Sequence, residues 1–80
     1  MGHELTKNDI KKMEEEIEYR IHEVRKAALD DVKETRAQGD LSENFEYHAA
    51  KRFKNKNESR IRYLQRTIKN ATVIDDSSAD

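Results

Sequence analysis

Two carboxylates stand three residues apart in the stretch GDLSEN, residues 39–44. Asp40 and Glu43 follow Gly39, the only glycine beyond position 2 in a chain that has no proline. Carboxylate oxygens suit Mg²⁺, which demands near-octahedral oxygen coordination. Two side chains supply only part of such a site, so a partner has to provide the remaining ligands. The spacing is therefore compatible with half of a shared metal site for metal-assisted hydrolysis.

The same two acids also have a purely structural interpretation. Asp40 as the N-cap of a following helix, with Glu43 at its third position, would form a variant of the capping box. Both carboxylates would also interact favourably with the positive end of the helix dipole. The local sequence leaves the metal-binding and the capping interpretations open.

The segment before Gly39 has the spacing of a single amphipathic helix. Thr6 is a suitable N-cap, and Asp9 three residues later completes a capping box. Apolar or small residues then recur at intervals of three and four, which predicts a helix over about residues 6–37. Its predicted buried stripe is Ile10, Met13, Ile17, Ile21, Val24, Ala28, Val32 and Thr35.

The segment after Gly39 predicts a second helix, over about residues 43–71. Its predicted buried stripe is Leu41, Phe45, Ala49, Arg52 or Phe53, Lys56 or Asn57, Ile61, Leu64, Ile68 and Ala71. This stripe averages slightly more than 3.6 residues per step, so it does not predict a regular left-handed supercoil. A glycine can close the first helix in the left-handed conformation. A tight turn at 38–43 makes the helices antiparallel neighbours.

The predicted fold is therefore all-α, a long antiparallel two-helix hairpin over residues 1–74. The β-branched run at 72–74 resembles the start of a strand that lacks a partner. Residues 75–80 are expected to be disordered, at the start of a linker. Two positions are open for Phe53: it fills the polar middle of the seam, or it lies exposed and favours weak self-association of the isolated hairpin.

Composition limits the class of protein. The chain has 80 residues, of which 41% are charged, and it has no cysteine. No apolar run approaches the roughly 18 residues of a membrane span, so we expect a cytoplasmic protein that does not bind membranes. Residues 51–69 hold eight basic residues and one acid. Such a basic helix can follow a phosphate backbone or can simply be a solvated face.

The stretch ETRAQGDLSENFEYHAAK, residues 34–51, closely resembles the hairpin tip of the bacterial GreA/GreB transcript cleavage factors. ESRIRYL at 58–64 and NATVID at 70–75 resemble the later helix of this family and its exit into the next domain. The matching tip residues are Gly39, Asp40, Leu41, Glu43, Asn44, Glu46, Tyr47, Ala49 and Ala50.

The resemblance implies a function as a protein cofactor of RNA polymerase rather than as an enzyme. Family members insert the hairpin through the secondary channel of bacterial RNA polymerase, where the acids matching Asp40 and Glu43 help to hold a second Mg²⁺. The polymerase then cleaves backtracked RNA. The isolated chain is expected to need no cofactor. The implied tip contacts are Leu41, Ser42, Asn44 and Tyr47, and the implied basic patch near the RNA 3′ end is Arg36, Lys51, Arg52, Lys54 and Lys56.

The sequence differs from the family pattern in length. Family members carry a β-rich C-terminal domain that is absent here, so we expect a fragment rather than a natural short relative, with weak polymerase binding. Two alternatives remain: a channel-binding inhibitor of the polymerase, and a helical adaptor or dimerisation module whose tip acids only cap a helix.

Overall fold

The computed structural model describes residues 4–38 and 44–74, and the predicted linker at 75–80 lies outside these ranges. Two helical arms run side by side and are joined through the tip segment. A π-helical turn lies within the first arm, residues 7–36. The elements in chain order are β1 (Glu4–Thr6), α1 (Lys7–Tyr19), the π turn (Arg20–Val24), α2 (Arg25–Arg36), α3 (Phe45–Asn70) and β2 (Thr72–Ile74).

The two arms are antiparallel, which confirms the predicted helical hairpin. Glu16 pairs with Arg60, whereas Thr35, further along the first arm, is hydrogen-bonded by Asn44. As the residue number rises along the first arm, the contacting residues on the second arm therefore have lower numbers. The molecule is a narrow rod of 57 × 24 × 17 Å. No helix in the described ranges is both long enough and apolar enough to span a membrane.

The first arm packs with the predicted face. Each member of its predicted stripe, from Ile10 to Thr35, is buried or half-buried, and Ala28 and Thr35 are the most enclosed. The prediction of one uninterrupted helix is wrong at Arg20–Val24, where the backbone widens into the π turn. There the amide of Arg25 donates to the carbonyl of Arg20, five residues earlier.

The second arm packs with a different face over its first half. Phe45 is 84% exposed, Phe53 is 51% exposed and Ala49 is also exposed, so their prediction as buried residues is wrong. The residues that fill this part of the seam are Tyr47, Ala50, Lys54 and Asn57.

From Asn57 onward the predicted stripe is confirmed, because Ile61 and Leu64 are buried, and Ile68 and Ala71 are half-buried. The corrected stripe alternates steps of three and four from Tyr47 to Ala71. That spacing is the 3.5-residue repeat of a coiled-coil seam, rather than a value above 3.6.

Polar groups cross the middle of the seam. Asn57 is buried, and its Oδ1 accepts a 3.0 Å hydrogen bond from Nη1 of Arg20. Its Nδ2 donates to the Arg20 carbonyl at 3.2 Å. Both halves of this buried amide are therefore paired, as a polar group removed from water requires.

Ion pairs add further links between the arms. Glu16 accepts from Arg60 and from Arg20, and Arg25 donates two 2.8 Å bonds to Glu58. Glu16 and Arg25 are both half-buried. Long side chains at the edge of a seam can cover it with their stems while their charged ends pair.

The end of the rod remote from the tip is closed by backbone pairing. Thr6 caps α1 and exchanges hydrogen bonds with Asp9, which confirms the predicted capping box. The strand expected at 72–74 is present, but the expectation that it has no partner is wrong. It pairs in parallel with β1, with Leu5 opposite Val73.

Candidate functional site

The predicted acidic pair, Asp40 and Glu43, lies outside the described residues, as do Leu41 and Ser42. The structure describes both chain ends that enter this segment, residues 35–38 on the first arm and residues 44–51 on the second. We refer to these two ends together as the tip base. Their geometry determines how the tip segment is anchored.

Asn44 is the N-cap of α3, and this helix begins at Phe45. Its Oδ1 accepts from the backbone amide of Tyr47 at 2.9 Å, which satisfies one of the free amides of the first turn. The described N-cap of α3 is therefore Asn44, and the capping interpretation of Asp40 and Glu43 falls on residues outside the described ranges. Asparagine is among the favoured N-cap residues, and this preference was the signal in the sequence that could have identified Asn44.

The other half of the Asn44 amide joins the two arms. Its Nδ2 donates to the backbone carbonyl of Thr35 at 2.7 Å. The same carbonyl also accepts from the amide of Gln38 at 3.2 Å. Asn44 was predicted as a tip contact for a partner, but in this structure its side chain is engaged within the chain.

Thr35 ends the first arm in a buried position. Its hydroxyl donates to the carbonyl of Asp31 at 2.8 Å, so the side chain is paired inside its own helix. This leaves the Thr35 carbonyl, one of the unpaired carbonyls at a helix C-terminus, available for Asn44 and Gln38. The two arms are consequently joined at the tip base by the hydrogen bond from Asn44 to Thr35.

Tyr47 lies within the tip base and is flanked by two cations. Only 6% of the residue is exposed. Nη2 of Arg36 donates to its hydroxyl at 3.3 Å, and the Arg36 guanidinium carbon lies 5.8 Å from the ring centroid. The Lys51 ammonium lies 5.5 Å from the same centroid, within the range of a cation–π contact. We call Arg36, Tyr47 and Lys51 the Tyr47 cluster.

The cluster carries excess positive charge. The hydrogen bond from Arg36 lowers the pKa of the Tyr47 phenol and raises the pKa of Arg36. Both shifts have the same cause, because a cation donating to the phenol oxygen favours the charged state of each partner. Two cations against one aromatic ring are chemically suited to binding an anion such as a phosphate group.

The structure divides the predicted basic patch. Arg36 and Lys51 meet at Tyr47, and Lys54, which is half-buried, lies about 60° from Lys51 around the helix. Arg52 and Lys56 instead line a separate open hollow with Asn55 and Ser59. The five residues therefore form a group near the tip base and a second group on the outer face of α3.

His48 is exposed and stands edge-on to Tyr47, with ring centroids 5.5 Å apart. Within residues 4–38 and 44–74, no group of three or more His, Cys, Asp or Glu side chains is arranged to hold a metal ion.

Comparison with known proteins places this geometry in context. The model of the transcription elongation factor N-terminal family, GreA/GreB, matches residues 3–73. The chain is 44% identical over 71 residues to the transcription elongation factor GreA of Allorhizobium ampelinum, covering 89% of this chain and 45% of that protein.

Two further relatives carry the same name. The chain is 42% identical over 78 residues to GreA of Halalkalibacterium halodurans, covering 98% of this chain and 49% of the relative. It is 39% identical over 71 residues to GreA of Chlorobium limicola, covering 89% and 45% respectively. The chain thus spans about half the length of the curated relatives it matches.

Proposed function

The chain belongs to the GreA/GreB family of transcription elongation factors, whose N-terminal domain it matches, and on that premise we propose how it acts. We propose that the hairpin enters the secondary channel of bacterial RNA polymerase tip first and stimulates cleavage of backtracked RNA by the polymerase. The observation that carries this proposal is the capping of α3 by Asn44. Because the N-cap position of α3 is occupied by Asn44, this observation supports the metal-ligand interpretation of Asp40 and Glu43 over the capping interpretation.

The shape of the rod supports this mode of entry. Its two smaller dimensions are 24 and 17 Å, close to the thickness of two packed helices. The tip segment lies at one end, between Gln38 and Asn44, and the strand pair lies at the other. A rod of this form can carry two side chains deep into a narrow passage without unfolding.

In the proposed mechanism, Asp40 and Glu43 provide carboxylate oxygens to a Mg²⁺ ion shared with the polymerase. A Mg²⁺ ion bound there would favour ionisation of a water and stabilise charge on the leaving oxygen. The donor set fits that role, since carboxylates are preferred Mg²⁺ ligands and the polymerase would complete the coordination. Asn44 and Thr35 hold the segment that carries both acids. The chain would act as a protein cofactor in the cytoplasm, where the polymerase works.

The Tyr47 cluster supports a second contact in the same complex. Arg36 and Lys51 would meet phosphates of the nascent RNA near its 3′ end. Lys54 lies close enough around the helix to extend this contact, whereas Arg52 and Lys56 face a different direction. Contacts to phosphate weaken as salt rises, so this part of the interaction would depend on ionic strength.

The first test is RNA cleavage in a backtracked polymerase complex, with the chain at high concentration. We expect the parent chain to stimulate cleavage. Asp40→Asn and Glu43→Gln should each lower the cleavage rate at least about tenfold, because each removes one anionic ligand. The control is Glu23→Gln, which neutralises an exposed acid of the π turn and should leave the rate unchanged.

The outcomes separate the alternatives. Cleavage that persists at the parent rate in folded Asp40→Asn and Glu43→Gln variants would refute the donated-ligand role. Binding that slows RNA synthesis without cleavage would identify the chain as a channel-binding inhibitor. Absence of polymerase binding would indicate a helical adaptor and would overturn the proposal.

A further inference from the structure

Phe53 lies in a groove along one side of the hairpin near the tip base. Two adjoining hollows, of about 480 and 310 Å³, share Phe53 and Asp31 among their lining residues. Phe53 lines both hollows, and 51% of the residue is exposed. We call this feature the Phe53 groove.

The groove has small apolar walls. Ala27 and Ala28 of α2 line one hollow, and Ala49 and Ala50 of α3 line the other. Residues without long side chains let another backbone or an apolar side chain approach closely. Phe53 stands between these two pairs as the one large apolar group among the residues that line the groove.

The rim of the groove is acidic. Asp30, Asp31 and Glu34 contribute from α2, and Glu46 contributes from α3. Among the described residues that line the two hollows, none is Lys or Arg. The rim is therefore uniformly negative around an apolar centre.

The packing of the two arms does not depend on Phe53. The seam beside it is filled by Ala50, Lys54 and Asn57, so the aromatic ring stabilises little of the packing between the arms. An aromatic side chain set between small residues and rimmed by charges has the composition of an interface centre with a polar rim. Covering the exposed part of the ring would remove apolar area from water and favour association.

The charge of the rim selects the partner. Four carboxylates repel the phosphates of RNA, so this side of the rod does not suit a nucleic acid. A symmetric pair of copies would bring the two acidic rims together, which is also unfavourable. A cationic protein segment with an apolar side chain satisfies both the rim and the centre.

We propose that the Phe53 groove binds a Lys- or Arg-bearing segment of RNA polymerase, with an apolar side chain of that segment against Phe53. This inference rests on the proposed function, because it assigns a second contact surface to the same complex. Lys51 and Phe53 are about 160° apart around α3. The hairpin therefore presents a basic side to RNA and an acidic, apolar side to protein.

The test is the affinity of the chain for core RNA polymerase, measured by fluorescence anisotropy of a labelled chain. Phe53→Gln should raise the Kd about tenfold, as truncating a central aromatic contact does. Leu29→Gln is the matched control, because Leu29 is 49% exposed and does not line the groove. The control should leave the Kd unchanged, and both variants should reach the parent cleavage rate at saturation.

The charge of the rim is tested separately. Asp31→Lys places a cation at the residue common to both hollows and should also weaken binding by about tenfold, more strongly at low salt than at high salt. Glu23→Lys, outside the groove, is the control for the change in net charge. Circular dichroism of all variants should match the parent chain.

The outcomes distinguish the groove inference from the proposed function. A Phe53→Gln variant that binds polymerase as tightly as Leu29→Gln overturns the groove inference and leaves the proposed function intact. A parent chain that does not bind polymerase overturns both. If Phe53→Gln abolishes a concentration-dependent dimer in sedimentation but leaves polymerase affinity unchanged, the occupant is a second copy and the inference is wrong.

Discussion

At the scale of single residues, Asn44 performs two tasks with one amide. Its oxygen caps α3, and its nitrogen fastens the second arm to the last turn of the first. Serine, threonine or aspartate can perform the capping task alone, because each offers an acceptor oxygen. Asparagine carries an acceptor oxygen and a separate donor nitrogen on one planar amide, whereas a serine or threonine hydroxyl places both functions on one atom and an ionised aspartate has no donor. This property suits asparagine to a position where two helices meet.

Substitution at Asn44 separates the two tasks. Asn44→Ala should lower the free energy of unfolding by about 1–2 kcal/mol, because both the cap and the bond to Thr35 are lost. Asn44→Asp should lower it by less, because the carboxylate still caps the helix but cannot donate to the Thr35 carbonyl. Urea denaturation of the three proteins measures this order. If Asn44→Ala and Asn44→Asp lowered the free energy of unfolding equally, the helix cap would contribute nothing to stability.

At the scale of elements, the seam between the arms is polar at its centre. Asn57 is 2% exposed, and both of its hydrogen bonds go to Arg20, in the π turn. A buried polar residue at one seam position can fix the register of two helices, since shifting them would leave it unpaired. We infer that Asn57 sets the register in which Thr35 faces Asn44.

Asn57→Ala should lower the free energy of unfolding by about 1–3 kcal/mol, because it leaves a cavity and removes the partner of the Arg20 side chain. Asn55→Ala, at an exposed position two residues earlier on the same helix, should change it by no more than about 0.5 kcal/mol. Chemical denaturation monitored by circular dichroism gives both values. Similar losses in the two variants would contradict the role of Asn57 in the seam.

The two arms differ in how well their sequences predict packing. The first arm has Ile, Val and Met on one face and charges elsewhere, so only one face can be buried. The second arm offers Phe45 and Phe53 on one possible face and Tyr47 and Asn57 on another. Hydropathy favours the phenylalanines, but the partner arm presents Arg20 and small residues that accommodate a polar seam. Which face of the second arm is buried therefore depends on the residues of the first arm. The spacing of apolar residues within one helix cannot reveal this choice.

The candidate site was predictable to a different degree. Spacing alone left Asp40 and Glu43 as either metal ligands or a capping pair, and the family resemblance assigned them the former role. The capping of α3 by Asn44 depends on where the helix starts, which is the least certain part of a sequence-based prediction. The Tyr47 cluster joins Arg36 to residues 11 and 15 positions later, so it depends on the closed hairpin. The roles of the tip residues remain predictions.

At the scale of the whole molecule, ion pairs tie the arms together and make stability depend on pH. Hydrogen bonds from Arg60 and Arg20 lower the pKa of Glu16 from 4.5 to about 2. The pKa of Glu58 is lowered by Arg25, and that of Asp9 by its bonds with Thr6. A carboxylate whose pKa is depressed by folding stabilises the folded state above its unfolded pKa.

The stabilisation by Glu16 should therefore be complete above about pH 5 and should be lost as the pH falls from 4.5 toward 2. Solvent screens the ion pairs of Glu16 with Arg60 and Arg20, so we expect them to contribute about 1 kcal/mol to the free energy of unfolding. Glu16→Gln should make thermal unfolding less dependent on pH in this window. Glu15→Gln, at an exposed neighbouring position, is the control. An acid transition of equal steepness in Glu16→Gln would contradict the prediction.

The pairing of β1 with β2 also has a consequence for the order of folding. Leu5 and Val73 lie almost the whole chain apart, whereas Thr35 and Asn44 are nine residues apart. Because longer loops are entropically harder to close, contacts between the arms should form first at the tip base, and the strands should pair last. A pair of three-residue strands is also only marginally stable. Thermal fraying should therefore begin at the strand end, so that the bond between Asn44 and Thr35 survives while that end opens and closes.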